Sequence, residues 1–154
     1  MAESKSQRTV ATVPGVTDAE ATGLVREVFD DLKRTKKIDF IPRFWQVLAS
    51  NPQQLQQIWE RLKFLMHPEA VGRTSPLDPR TREIIAVAVS ATNGCDYCVH
   101  SHTAALVKTG VDQQLLGEIL AIVALFNTTN SLADGYRIEP DVFPQWGPPT
   151  KSPQ

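Results

Sequence analysis

Apolar residues recur at spacings of three and four through most of the chain, the period of a helix with one buried face. Leu24, Val25, Val28, Phe29 and Leu32 form the first such stripe. Ahead of it, Thr17-Asp18-Ala19-Glu20 has capping-box spacing, in which Thr17 caps and Glu20 reaches back. The helix is predicted to fade in Lys33-Arg34-Thr35-Lys36-Lys37, since cations suit a helix C-terminus. Ile38 to Pro42 reads as a connector, and Phe44, Trp45, Val47 and Leu48 as a short apolar helix. Asn51-Pro52 ends that helix and opens the next, because proline fits the first helical position. Leu55, Ile58, Trp59, Leu62, Leu65 and Met66 give the next stripe, which His67-Pro68 closes, and Val71 to Leu77 reads as a loop.

The second half follows the same period. Asp78-Pro79 pairs a capping acid with a first-turn proline and opens an apolar run that ends at Asn93-Gly94. Its Ile and Val residues also suit strands, but length and flanking caps favour a buried helix. Cys95 to Thr109 reads as the next helix, ended by Gly110. Asp112 caps a last long helix that carries Leu115, Leu116, Ile119, Leu120, Ile122, Val123 and Phe126 and stops near Asp134-Gly135. Residues 1–16 are polar and read as a mobile arm. Residues 17–135 form the helical domain, and residues 136–154 are a tail with five prolines. That tail is either a disordered end or an extended arm on a neighbouring subunit, anchored by Phe143 and Trp146. With no repeat, Gly-rich phosphate loop or strand-rich block in view, the fold class is all-α.

Composition narrows the function. A chain of 154 residues can bury one real core, and 42% hydrophobic with 21% charged residues is ordinary for a soluble domain. A net charge of -1 offers no electrostatic grip on nucleic acid or on an anionic membrane. The longest apolar run, Ile119 to Phe126, is too short for a bilayer, and no apolar stretch of a signal peptide follows Met1. The expected compartment is the cytoplasm. There a pair of cysteines is seldom a structural staple and points instead to redox chemistry or metal binding.

Both cysteines sit in Asn93-Gly94-Cys95-Asp96-Tyr97-Cys98-Val99-His100-Ser101-His102. Cys95 to Cys98 is three residues and Cys98 to His102 is four, so on a helix all three share a face. His100 falls on roughly the opposite side and reads as solvated surface. The exposed amides and dipole of a helix start favour an anion, so this position is expected to lower a cysteine pKa. Glu83 is an acid read as lying in the first turn of the preceding, largely apolar helix. A turn at Gly94 would fold the two helices antiparallel. Glu83 lies about 16 Å before that turn and His102 about 12 Å after it, which brings them to similar depth. Glu83 would then orient His102 and hold its proton.

Glu83, Cys95, Cys98 and His102 reproduce the E-x11-C-x2-C-x3-H pattern, and Arg82-Glu83-Ile84-Ile85 and the Asn-Gly-Cys lead-in extend it. In these residues the chain resembles the AhpD-like alkylhydroperoxidases of the carboxymuconolactone decarboxylase superfamily, over roughly residues 40–135. The resemblance implies an all-helical fold built around an antiparallel helical hairpin, usually assembled as homo-oligomers, trimers or hexamers. It implies a thiol peroxidase that takes an organic hydroperoxide as substrate, with no cofactor and with a thiol or dithiol reductant protein as partner. In that scheme Cys98 is the peroxidatic thiol, Cys95 resolves it as a disulfide, and His102 with Glu83 relays the proton. AhpD proper carries a histidine between the cysteines where this chain has Tyr97, so the chain is closer to peroxidase-related AhpD-like proteins with a C-x-Y-C core.

Other readings compete. The same site would serve a slower dithiol oxidoreductase or a redox sensor. Cys95, Cys98 and His102 would hold zinc only with poor tetrahedral spread, since one helical face supplies all three. Lactone decarboxylation, the chemistry in the superfamily's name, does not rest on a cysteine pair. Blander roles suit the remaining residues: His67 takes none, Trp45, Trp59 and the phenylalanines are core, and the cations at Lys33–Lys37 are a solvated helix end. Trp- and Leu-rich helices in so small a chain leave apolar surface for self-association.

Overall fold

The computed structural model describes residues 11–147. The expected arm at residues 1–10 and the tail beyond residue 147 lie outside them. The described residues form six α-helices and one 3-10 turn, with no strand. They fall into two compact units that divide between Asp78 and Pro79.

The first unit holds α1 (Gly23–Lys36), α2 (Arg43–Leu48), α3 (Pro52–Met66) and the 3-10 turn Pro68–Val71. The predicted stripe of α1 is its buried face: Val25, Val28, Phe29 and Leu32 pack with Ile41, Trp45, Leu55 and Trp59 into one core. Trp45 and Trp59 meet edge to face at 5.4 Å between ring centres. The Trp59 indole finds its partner in Asp31, whose Oδ2 accepts from Trp59 Nε1 at 2.6 Å and from Lys63 Nζ at 2.7 Å. Asn51 caps α3 through Oδ1, which accepts the Gln54 amide at 3.1 Å.

Three expectations change here. The Thr17–Glu20 contact forms, with Glu20 Oε2 taking both the amide and the hydroxyl of Thr17, but it closes an isolated turn. The helix begins six residues later, because Thr22 is extended (φ -138°, ψ 163°) and Gly23 has a positive φ of 51°. Val16, at the end of the expected arm, donates its amide to Gln46 O at 2.8 Å and packs on the core. Of the phenylalanines read as core, Phe29 is buried, whereas Phe40, Phe44, Phe64, Phe126 and Phe143 are exposed.

The second unit holds α4 (Pro79–Thr92), α5 (Asp96–Val107) and α6 (Gln113–Gly135). Its own core is small: Val87, Leu106, Val111 and Ile119 are buried, with Ile84, Leu115 and Leu116 packed on them. Asp112 caps α6 as expected, Oδ1 accepting the Leu115 amide at 2.8 Å. The 23 residues of α6, with a mean hydropathy of 1.4 over its most apolar window, are long and apolar enough to cross a membrane by those two measures. That exceeds what the run Ile119–Phe126 suggested. Polar Asn127, Thr128, Thr129 and Asn130 nevertheless cross its second half, and only Ile119 is buried.

Candidate active site

α4 and α5 form the antiparallel hairpin, and Cys95 joins them. Gly94 takes the left-handed conformation (φ 67°) that ends α4 without a Cβ penalty. The Gly94 amide donates to Ala91 O at 3.3 Å and the Cys95 amide to Ser90 O at 3.0 Å, a pattern that satisfies the last carbonyls of α4. The Cys95 side chain then caps α5, its Sγ accepting the Cys98 amide at 3.3 Å. Cys95 thus closes one helix with its amide and opens the next with its sulfur. At the far end of the hairpin, Arg80 Nη2 donates to Thr109 O at 2.6 Å and ties the start of α4 to the end of α5.

Between these ties, Glu83 and His102 meet. His102 Nδ1 lies 2.8 Å from Glu83 Oε2, with side-chain exposures of 26% and 17%. Glu83 is the fifth residue of α4, in its second turn rather than the first, and that depth is what aligns it with His102. A carboxylate only accepts, so the shared hydrogen sits on Nδ1 and leaves Nε2 as the basic nitrogen. His102 follows Cys98 by one helical turn, where Cβ atoms stand about 5–6 Å apart. His100 is exposed, as its register requires.

The sulfurs are free thiols and half-buried. The Cys98 thiol is pushed up to about 11 from its ordinary 9.0, first by its hydrogen bond to the Cys95 side chain, then by burial and by the charge on Cys95. The helix start therefore does not lower Cys98, contrary to expectation. The amide that would favour an anion points at Cys95 Sγ.

Reasoning from spacing alone missed Arg80, whose link to Thr109 depends on where α5 ends. It also missed the buried Ser90, whose hydroxyl donates to Ala86 O at 2.6 Å on the face of α4 that carries Glu83 and Val87. Tyr97, between the cysteines, is 44% exposed. No group of three or more His, Cys, Asp or Glu is placed to hold a metal ion among the described residues.

Known proteins resemble this chain in sequence and in fold. The chain resembles the crystal structure of the alkylhydroperoxidase AhpD core from Rhodospirillum rubrum with a TM-score of 0.78 and 40% identity, over 86% of this chain and 95% of that one. The uncharacterised protein YdfG of Bacillus subtilis is 36% identical over 55 residues, 36% of this chain and 37% of its own length. The alkyl hydroperoxide reductase AhpD of Coxiella burnetii is 33% identical over 51 residues, 33% of this chain and 29% of its own. The chain thus spans little more than a third, or less, of these curated relatives. Residues 53–138 match the carboxymuconolactone decarboxylase family, which covers all three helices of the hairpin unit and most of α3. With its AhpD-like helical fold, the chain belongs to the carboxymuconolactone decarboxylase family.

Proposed function

We propose that this protein is a thiol-dependent peroxidase acting on organic hydroperoxides through Cys95 and Cys98. The observation that carries the reading is the Glu83–His102 contact of 2.8 Å, which holds the imidazole one helical turn after Cys98 and leaves its Nε2 free of that contact. A nucleophile, a base and an orienting acid in series are the parts that covalent catalysis requires.

The thiol of Cys98 holds its proton at neutral pH and must lose it to attack. His102 takes that proton as the sulfur attacks the distal peroxide oxygen. The O–O bond breaks, the alkoxide receives the proton from His102, and the products are an alcohol and a sulfenic acid on Cys98. The Cys95 sulfur then displaces hydroxide from the sulfenic acid, which leaves as water with the remaining proton, and a Cys95–Cys98 disulfide forms. An external dithiol restores both thiols by exchange. Glu83 stabilises the imidazolium while it carries the proton.

One observation favours a second reading. Cys95 Sγ caps the helix start by accepting the Cys98 amide, a position that supports an anion, so thiol–disulfide exchange would begin at Cys95. A dithiol oxidoreductase, slow toward peroxides, would result. Homo-oligomerisation suits either reading, because α6 presents Leu120, Ile122, Leu125 and Phe126 to solvent.

Steady-state turnover separates the two. With dithiothreitol as reductant, the first reading expects cumene hydroperoxide to be consumed by the wild type and not by Cys98→Ser. Exchange with a disulfide substrate at full rate and no consumption of hydroperoxide would replace the first reading by the second.

A further inference from the structure

The hairpin of α4 and α5 is fixed at its closed end by the Gly94 turn, where the Cys95 amide meets Ser90 O and the Cys98 amide meets Cys95 Sγ. Two helices joined at one end can hinge there. Glu83 and His102 stand about 16 and 12 Å from that hinge, so a splay of about 3° moves them about 0.8 Å apart. Their contact of 2.8 Å would then stretch to about 3.6 Å, which is no longer a hydrogen bond. Packing along the seam resists such a motion weakly. Val87 and Leu106 are fully buried, but apolar burial is non-directional.

The open end of the hairpin carries a directional tie. Arg80 Nη2 donates to Thr109 O at 2.6 Å. Arg80 stands 14 residues before Gly94, and Thr109 stands 14 after Cys95. Each lies about 21 Å from the junction, so the two meet level, beyond the acid and the imidazole. Glu83 follows Arg80 by three residues, on the neighbouring turn of the same face of α4. The acceptor is itself held still. The amide and the hydroxyl of Thr109 both donate to Leu106 O, at 2.9 and 2.7 Å. Gly110 then turns the chain with a φ of 86°, and Val111 enters the core. A carbonyl just past a helix C-terminus also favours a cationic donor over a neutral one.

We infer that Arg80 is a positioning residue for the Glu83–His102 pair. Its guanidinium touches no reacting atom. By pinning the open end of α4 to Thr109 O, it stops the hinge at Gly94 from opening and keeps the Glu83 carboxylate within reach of His102 Nδ1. The hairpin is thus clamped on both sides of the pair, by backbone and sulfur at one end and by one side chain at the other. The effect of Arg80 on rate rests on the proposed proton relay; its effect on the imidazole does not.

The experiment reads both in the reduced full chain. Nitrogen-15 NMR of labelled histidine, through couplings to the carbon-bound ring protons, reports which nitrogen of His102 carries the hydrogen at a pH where the ring is neutral. His102→Gln assigns the signal. The wild type is expected to hold the hydrogen on Nδ1. Arg80→Met keeps the aliphatic stem and removes the donor, and should turn the ring into a mixture of both tautomers. Arg80→Lys restores a cationic donor and should return the hydrogen to Nδ1. Single-turnover oxidation by cumene hydroperoxide should slow about fivefold in Arg80→Met, well within the cost of a misplacement near 1 Å. It should recover in Arg80→Lys, and adding Arg80→Met to Glu83→Ala should slow it no further. Arg80 is exposed, so its replacement opens no void, and unchanged helical circular dichroism controls for folding. A wild-type ring that does not favour Nδ1, or a pure Nδ1 tautomer in Arg80→Met, overturns the inference. So does equal slowing by Arg80→Met with and without Glu83. A wild type that hydroperoxide does not oxidise sinks the proposed function instead, and the tautomer still decides the role of Arg80.

Discussion

Glu83→Gln isolates what the acid contributes beyond holding the imidazole. The amide oxygen still accepts from His102 Nδ1 across the same 2.8 Å, so geometry and tautomer survive and the negative charge does not. Two unit charges about 4 Å apart interact by about 1 kcal/mol in water and about 4 kcal/mol at an effective dielectric of 20. The side chains are 26% and 17% exposed, which puts the pair between those limits. A loss of about 1.5–2 kcal/mol in stabilising the imidazolium slows the proton-transfer step roughly ten- to thirtyfold. Glu83→Ala also removes the acceptor, frees the tautomer, and should slow the step about a hundredfold or more. The assay is single-turnover oxidation of the reduced protein by cumene hydroperoxide, stopped in acid and read as free thiols, with melting temperatures as the control for folding. A Glu83→Gln protein that oxidises at the wild-type rate would refute the relay, and Glu83 would then be only a structural partner of His102.

Further expectations concern charge and packing. Because the Cys95 hydrogen bond leads the causes that raise Cys98 to about 11, Cys95→Ser should move the pH midpoint of Cys98 alkylation down toward 9.0. In the wild type the same raised value favours the protonated fold, so stability is full below about pH 9 and falls as pH rises through about 11, measurable by urea unfolding. Burial raises Asp31, but hydrogen bonds from Lys63, Trp59 and Arg34 outweigh it and hold the carboxylate below its ordinary 3.8. Asp31→Asn should therefore cost about 1–3 kcal/mol at neutral pH, and urea titrations should show the difference shrinking as the wild type is acidified through its lowered pKa. Leu106→Ala, under the hairpin at 0% exposure, should cost about 2–5 kcal/mol in the same titration.

Much of the hairpin could be read from residues alone, for physical reasons. Asp112 caps where it was expected because a cap is a contact across three residues, set by local chemistry. Glu83 and His102 meet because a helix converts residue number into length, and Gly94 supplies the one conformation that reverses the chain. What failed depended on three dimensions. Thr17 and Glu20 make their contact, yet the backbone at Thr22 is extended and no helix continues from it. The Cys98 thiol is raised by its hydrogen bond to the Cys95 side chain and then by burial, contacts that spacing does not encode. The same periodicity that marks a core stripe in α1 marks exposed surface in α6, since apolar pattern shows which residues share a face and not what covers that face.

The central claim is that hydroperoxide is reduced at Cys98 and resolved by Cys95. One equivalent of cumene hydroperoxide added to the reduced protein, followed by intact mass and a thiol count, tests it most directly, with Cys95→Ser and Cys98→Ser beside the wild type. The account predicts loss of both thiols in the wild type, a sulfenic acid trapped on Cys98 when Cys95 is replaced, and none when Cys98 is replaced. Thiols that stay reduced under excess hydroperoxide, or a sulfenic acid trapped on Cys95 instead, would contradict it.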